Sequence, residues 1–219
     1  MNRVNRITPI SSARSGLGAP GVCAVLFVIS TLVNCFGTSQ EPVYYALEGT
    51  GPVTPRTRTA ATLVVTRFEV HAPYDRPELV YRQKGRELRF YPFDLWASKP
   101  GRMMAEAATG HLRAAGLFAN VSMRSTAGLA DYELRGEVVT VEELDVGERD
   151  WRAHLAMRFE LVSLATGEVV LRHAFDSERP VAVRTVSAVA QALDEILGAE
   201  LTNLTTLLAE QLARTAQVP

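Results

Sequence analysis

Four histidines, two cysteines and one run of carboxylates are the groups here with chemistry to offer, and their spacing separates the uses. His71, His111, His154 and His173 stand apart, with no pair at i, i+2 or i, i+4 and no cysteine beside them. A transition-metal site normally shows such spacing. No Gly-x-Ser-x-Gly elbow and no Gly-x-x-x-x-Gly-Lys loop occurs, so neither an activated serine nor P-loop nucleotide hydrolysis is encoded. The acids Glu142, Glu143, Asp145, Glu148 and Asp150 lack the EF-hand pattern and fall between strand-like stretches, where a solvated hairpin loop is expected. His154 lies on the polar side of an alternating stretch and is expected to be an ordinary solvated histidine. No catalytic residue, metal site or cofactor is expected, and an enzyme ranks last among the readings.

The remaining reactive group is a thiol. Leu32-Val33-Asn34-Cys35 ends an apolar run from Val22, preceded by Arg3, Arg6 and Arg14, and no acid occurs before Glu41. A basic stretch, a short apolar core and a processing site make an export signal. The run is too short for a spanning helix, which needs roughly 20 residues. Leu and Val ahead of Cys35 match a lipobox, whose cysteine is acylated before cleavage; Asn34 departs from the Gly, Ala or Ser preferred beside it. A plain secretory signal and a retained anchor are the alternatives. Cys23 would be removed with residues 1–34, leaving Cys35 unpaired in an oxidising compartment, and acylation accounts for that leftover thiol. Phe36, where an acid would often signal inner-membrane retention, favours the outer membrane.

After processing, 185 residues carry 20 basic and 24 acidic side chains, since the removed segment holds three of the 23 basic ones. That is enough chain for one ordinary core. Its mild acidity excludes broad attraction to nucleic acid or to an anionic membrane. Residues 35–42 read as a lipidated tether and 43–215 as a single domain.

The elements follow from period and punctuation. Val43 to Leu47 and Leu63 to Val70 read as strands, and Leu79–Arg82 with Leu88–Tyr91 as a hairpin across Gly85. Ser98 is placed to cap a helix, with Pro100 in its first turn. Met104, Ala108, Leu112 and Ala115 form its stripe, and Gly116 its end. Tyr132 to Thr140 alternates, as does Ala153 to Leu161, and Thr166-Gly167 turns the latter into Val169 to Phe175. Val186 to Leu212 carries leucines every three or four residues, a long amphipathic helix in which Gly198 suggests a close packing contact or a slight bend. The fold class is α+β: a mainly antiparallel sheet of about six to eight strands, with two amphipathic helices packed on one face.

Phe90, Tyr91, Phe93 and Trp96 join a strand end to the first helix. Core packing is the default for them, and a lining for an apolar ligand or a docking patch is the alternative.

Leu63 to Phe68, Leu79-Val80-Tyr81-Arg82, Leu88 to Tyr91, Leu95-Trp96-Ala97 with Pro100, and Gly116-Leu117-Phe118 follow in an order that resembles the ABC-type transport auxiliary lipoprotein family. The likeness runs through Asp131 to Leu134, the Gly167 hairpin ending at Phe175, Pro180-Val181 and the final helix. Tyr81, Arg82 and Trp96 are its most telling positions, as structural or contact residues. The resemblance implies a periplasm-facing, catalytically silent lipoprotein. Its partners would be an ABC permease and ATPase and a mammalian-cell-entry-domain protein on other chains, moving phospholipids or other hydrophobic compounds. Self-association stays open. The alternative is an envelope-biogenesis lipoprotein that binds lipid or lipopolysaccharide itself, or serves an outer-membrane barrel.

Overall fold

The computed structural model describes residues 40–51, 58–123, 130–147 and 150–215. The export signal, Cys35 and the tether up to residue 39 lie outside the described residues.

One strand organises the sheet. β7 (Tyr132–Gly147) runs along its centre and pairs antiparallel on one side with β8 (Asp150–Ser163), which pairs antiparallel with β9 (Val169–Pro180). On its other side β7 meets three shorter strands in succession, all parallel to it: β2 (Thr62–Val65), β3 (Glu69–Val70) and β4 (Glu78–Gln83). β4 forms an antiparallel hairpin with β5 (Glu87–Trp96), turning at Lys84 and Gly85, both at positive φ. β1 (Val43–Tyr45) runs parallel along β5, and β6 (Asn120–Ser122) parallel along β2. The long ladders are antiparallel, as expected, but the short parallel pairings make the sheet mixed, and it has nine strands among the described residues.

Both helices pack on one side. α1 (Pro100–Ala115) lies against β2, β3, β6 and β7, while α2 (Val186–Thr215) covers β8 and β9 and touches α1. The expected stripe of α1 is fully buried, and Gly116 closes the helix at φ 62° with its N–H donated to the Arg113 carbonyl. Lys99, not Ser98, is the capping position, and no side chain bonds there. Pro100 at the first helical position needs no N–H partner, which lessens the need for a cap.

The expected single strand from Leu63 to Val70 is broken. Beyond Val65 the backbone turns so that the Phe68 N–H reaches the Gly101 carbonyl at 3.1 Å, and the Phe68 ring drops into the core edge-on to Phe159. The core is continuous from Leu47 to Leu208, with Phe68, Met104, Leu134, Leu155, Met157 and Phe159 among its fully buried members.

Candidate functional site

A bulge at Val139 changes which side of β7 its later residues face. Val138 pairs with Met157 and Thr140 with Ala156, leaving Val139 as the extra residue. Val138 and Val141 are both core residues, so the phase has shifted by one. Glu142 and Glu143 then point to opposite sides of a strand that is paired along both edges.

Most of the expected solvated acidic loop is strand among the described residues. Glu142, Glu143 and Asp145 belong to β7, Asp150 starts β8, and Glu148 lies outside the described residues. Glu142 and Glu143 are each only 2 % exposed.

Glu142 is the hub of an ion-paired network. Its Oε1 accepts from Arg82 Nε at 2.8 Å, and its Oε2 accepts from Arg82 Nη2 at 3.0 Å and the Tyr74 hydroxyl at 2.7 Å. His154 bridges Glu142 at 3.4 Å and Asp176 of β9 at 2.7 Å, so it is a held residue and not a solvated one. Burial pushes the Glu142 carboxyl up, but hydrogen bonds from His154, Arg82 and Tyr74 outweigh it and hold the group below the usual range. The Glu142 bond raises the His154 pKa against the opposing effect of burial, with Asp176 assisting. Burial and the Glu142 bond lift the Tyr74 phenol to about 12.

Glu143 on the other side is poorly satisfied. Its Oε2 accepts from the Tyr91 hydroxyl at 2.8 Å, and its buried Oε1 has no hydrogen-bond partner among the described residues. Burial raises its pKa to about 7, with Asp145 adding to the rise and Tyr91 and Arg184 opposing it. Tyr81 lies against Tyr91 with ring centroids 4.6 Å apart. Arg184 covers the Trp151 ring at 4.4 Å and reaches Asp145 at 3.2 Å.

These shifts fix a pH profile. Glu142, depressed when folded, contributes stability above its unfolded pKa that is lost as pH falls. His154 and Glu143, both raised when folded, contribute stability below their unfolded values that is lost as pH rises through the folded ones. Because the Glu143 loss begins at its unfolded value near about pH 4.5, the fold should be most stable near about pH 5 and weaken on either side. Glu143→Gln removes one part of the alkaline loss. Urea denaturation should show this variant gaining about 2 kcal/mol on wild type between about pH 5 and about pH 8. A constant difference across that range would show that Glu143 does not titrate there.

The remaining sequence candidates divide. Tyr81 is half-buried beneath Tyr91, and Trp96 is core. Phe90 is 40 % exposed with the Arg76 guanidinium 3.4 Å over its ring, and Phe93 is 38 % exposed. The structure thus unites Arg82 with Glu142, and Tyr81 with Tyr91 and Glu143, and sets Phe90 and Phe93 at the surface. Sequence reasoning missed Tyr74, Asp176 and the burial of both glutamates. The apolar Val138, Val139 and Val141 just before them are the signal that the strand continues.

A groove of about 580 Å³ lies beside the β2–β3 break. Four of its charges form two pairs: Arg135 with Glu133 at 2.6 Å, and Arg158 with Glu137 at 2.8 Å. Among the described residues no cluster is suited to a metal, and no helix is long and apolar enough to cross a membrane.

Solved structures similar to this fold include the following two. A Xanthomonas campestris protein of the DUF330 family is 23 % identical, with a TM-score of 0.70, over 80 % of this chain and 100 % of its own. An uncharacterised protein is 14 % identical, with a TM-score of 0.60, over 77 % of this chain and 99 % of its own. No curated protein matches the sequence. Residues 45–215 match the ABC-type transport auxiliary lipoprotein component as a family, which spans every element from the end of β1 to the end of α2, and the chain belongs to that family.

Proposed function

We propose that this chain is a lipid-anchored, non-catalytic component of an ABC-type intermembrane transport system for phospholipids or other hydrophobic compounds. It docks onto a mammalian-cell-entry-type periplasmic partner while the permease and ATPase reside on other chains. The observation that carries this reading is the family match beginning at Tyr45, so soon after the lipobox cysteine. Seven residues, Phe36 to Pro42, separate Cys35 from β1 and span at most about 25 Å when extended. Such a tether keeps the folded part beside the leaflet, and Phe36 favours the outer membrane as that leaflet's home. Acyl chains supply the membrane affinity, at about 0.8 kcal/mol per buried methylene.

The domain works by contact. β9 pairs only with β8 among the described residues, so its other edge presents backbone N–H and C=O groups on which a partner strand can add. Carriage of lipid between sheet and helices is the weaker reading, because that space is filled by packed side chains such as Phe68, Met104, Leu112 and Leu197.

The test is capture from envelope membranes with the acylated protein. Wild type should float with vesicles and retain a permease-associated periplasmic protein, whereas Cys35→Ser should remain soluble and lose that capture. A wild-type chain with a free Cys35 thiol, or capture unchanged by Cys35→Ser, would overturn the tethered reading.

A further inference from the structure

The exposed apolar side chains are not spread evenly. Among the described residues seven large hydrophobic side chains are exposed, and four of them sit on β1 or β5: Val43, Tyr44, Phe90 and Phe93. Tyr44 is the most exposed of these four, at 61 %. Register sets β1 beside the end of β5, with Val43 opposite Asp94, next to Phe93, and Tyr44 opposite Leu95, while Phe90 lies earlier on the same strand. Scattered single hydrophobes need no explanation, but a local concentration marks a contact surface.

Charge is concentrated on the same hairpin. Between Arg76 and Phe93 the sequence holds five basic residues and two acidic ones, against an acidic excess in the mature chain as a whole. Arg82 is turned inward to Glu142. Arg76 and Arg89 pair with Glu78 and Glu87, and Lys84 and Arg86 at the turn form no ion pair among the described residues. Arg76 also lies flat over Phe90, so a cation and a ring share one position. Aromatic bodies beside arginine and lysine suit the headgroup layer, where rings meet the acyl boundary and cations meet phosphate.

Chain direction supplies the third argument. β1 runs parallel to β5. A backbone entering β1 at Val43 therefore comes from the end of β5 that leads back through Phe93 and Phe90 to the basic turn. A tether of seven residues fastened at Cys35 leaves this margin within reach of the leaflet.

We propose that the β1–β5 margin, with Tyr44, Phe90 and Phe93 beside the basic β4–β5 turn, lies against the anionic phospholipid surface in which the chain is anchored. The proposal rests on the anchor at Cys35. It adds an orientation: β1 and β5 face the lipid, and the β8–β9 turn at Gly167 faces away.

Depth-dependent quenching tests it. The full acylated chain, carrying Phe93→Cys or Glu168→Cys labelled with one fluorophore, is placed in phosphatidylethanolamine–phosphatidylglycerol vesicles containing lipids with acyl-chain quenchers. Flotation is scored separately. Floating protein with quenching at position 93 several-fold stronger than at 168 supports the orientation. Floating protein with equal quenching at both positions overturns it while leaving the anchor intact, as does a label at 93 that is shielded only when a periplasmic partner is added. Protein that fails to float overturns the anchor and the orientation with it.

Discussion

Arg82→Ala should lower the unfolding free energy by about 3–5 kcal/mol, because it strips a buried carboxylate of its counter-ion. Glu142 receives two of its hydrogen bonds from that guanidinium, one to each oxygen. Without it, only Tyr74 and His154 remain beside a side chain that water barely reaches. The loss measures the cost of an uncompensated charge and not the intrinsic worth of the pair. Replacing both partners with apolar residues, Arg82→Met with Glu142→Leu, should therefore cost far less than Arg82→Ala alone. Urea denaturation of the single and double variants decides the matter. If the losses of Arg82→Met and Glu142→Leu alone simply add up to that of the double variant, the two side chains are not coupled. The network also pins the turn at Ala72–Tyr74 onto β7 and links β4 to β9 through His154 and Asp176. The variant should accordingly loosen regions remote from Arg82.

Much of the fold was legible because periodicity survives burial on one side. The stripe of α1, the leucine ladder of α2 and the alternation of β8 each state their own geometry. The glycine ends also read correctly: Gly116 and Gly167 adopt φ 62° and 75°, and both close the elements that precede them. What failed did so for local reasons. The Val139 bulge adds one residue, which has no compositional mark, and it moves Glu142 and Glu143 relative to the pattern set by Tyr132 and Leu134. A cluster of acids read by composition looks solvated; read by pairing, Glu142 is held by an arginine 60 residues away in sequence. The break after Val65 was invisible for a similar reason, since it exists to seat Phe68 under Gly101, and that partner becomes a neighbour only in three dimensions. The site candidates shared this limit: Phe90, Tyr91, Phe93 and Trp96 form one cluster in sequence, yet they are divided between surface and core by strand geometry.

Two helical glycines show how the same substitution takes opposite signs. Gly110→Ala in α1 should stabilise by up to about 1 kcal/mol, because a methyl there meets nothing and alanine favours the helix. Gly198→Ala in α2 gains the same propensity but should destabilise by about 4 kcal/mol, as overpacking and lost polar contacts outweigh it. A methyl at Gly198 would overlap the Thr50 carbonyl oxygen and crowd the Gly49 backbone. That segment has little freedom to retreat. Asp194, one turn earlier on α2, accepts the Glu48 and Gly49 N–H groups at 2.6 and 2.7 Å, and the Thr50 hydroxyl bonds its other oxygen at 3.2 Å. Gly49 itself sits at φ 63° against Leu197, Leu201 and Ala107, wedged between the two helices. Displacing Thr50 therefore breaks the Asp194 contacts as well. Since Leu47 to Gly51 follows β1 and packs against both helices, the damage would fall where the N-terminal part of the domain meets the core. Thermal unfolding of the two variants side by side gives the test: a rise in Tm for Gly110→Ala and a clear fall for Gly198→Ala. A rise for both would mean that the Thr50 contact yields without resistance, and that Gly198 is dispensable for packing.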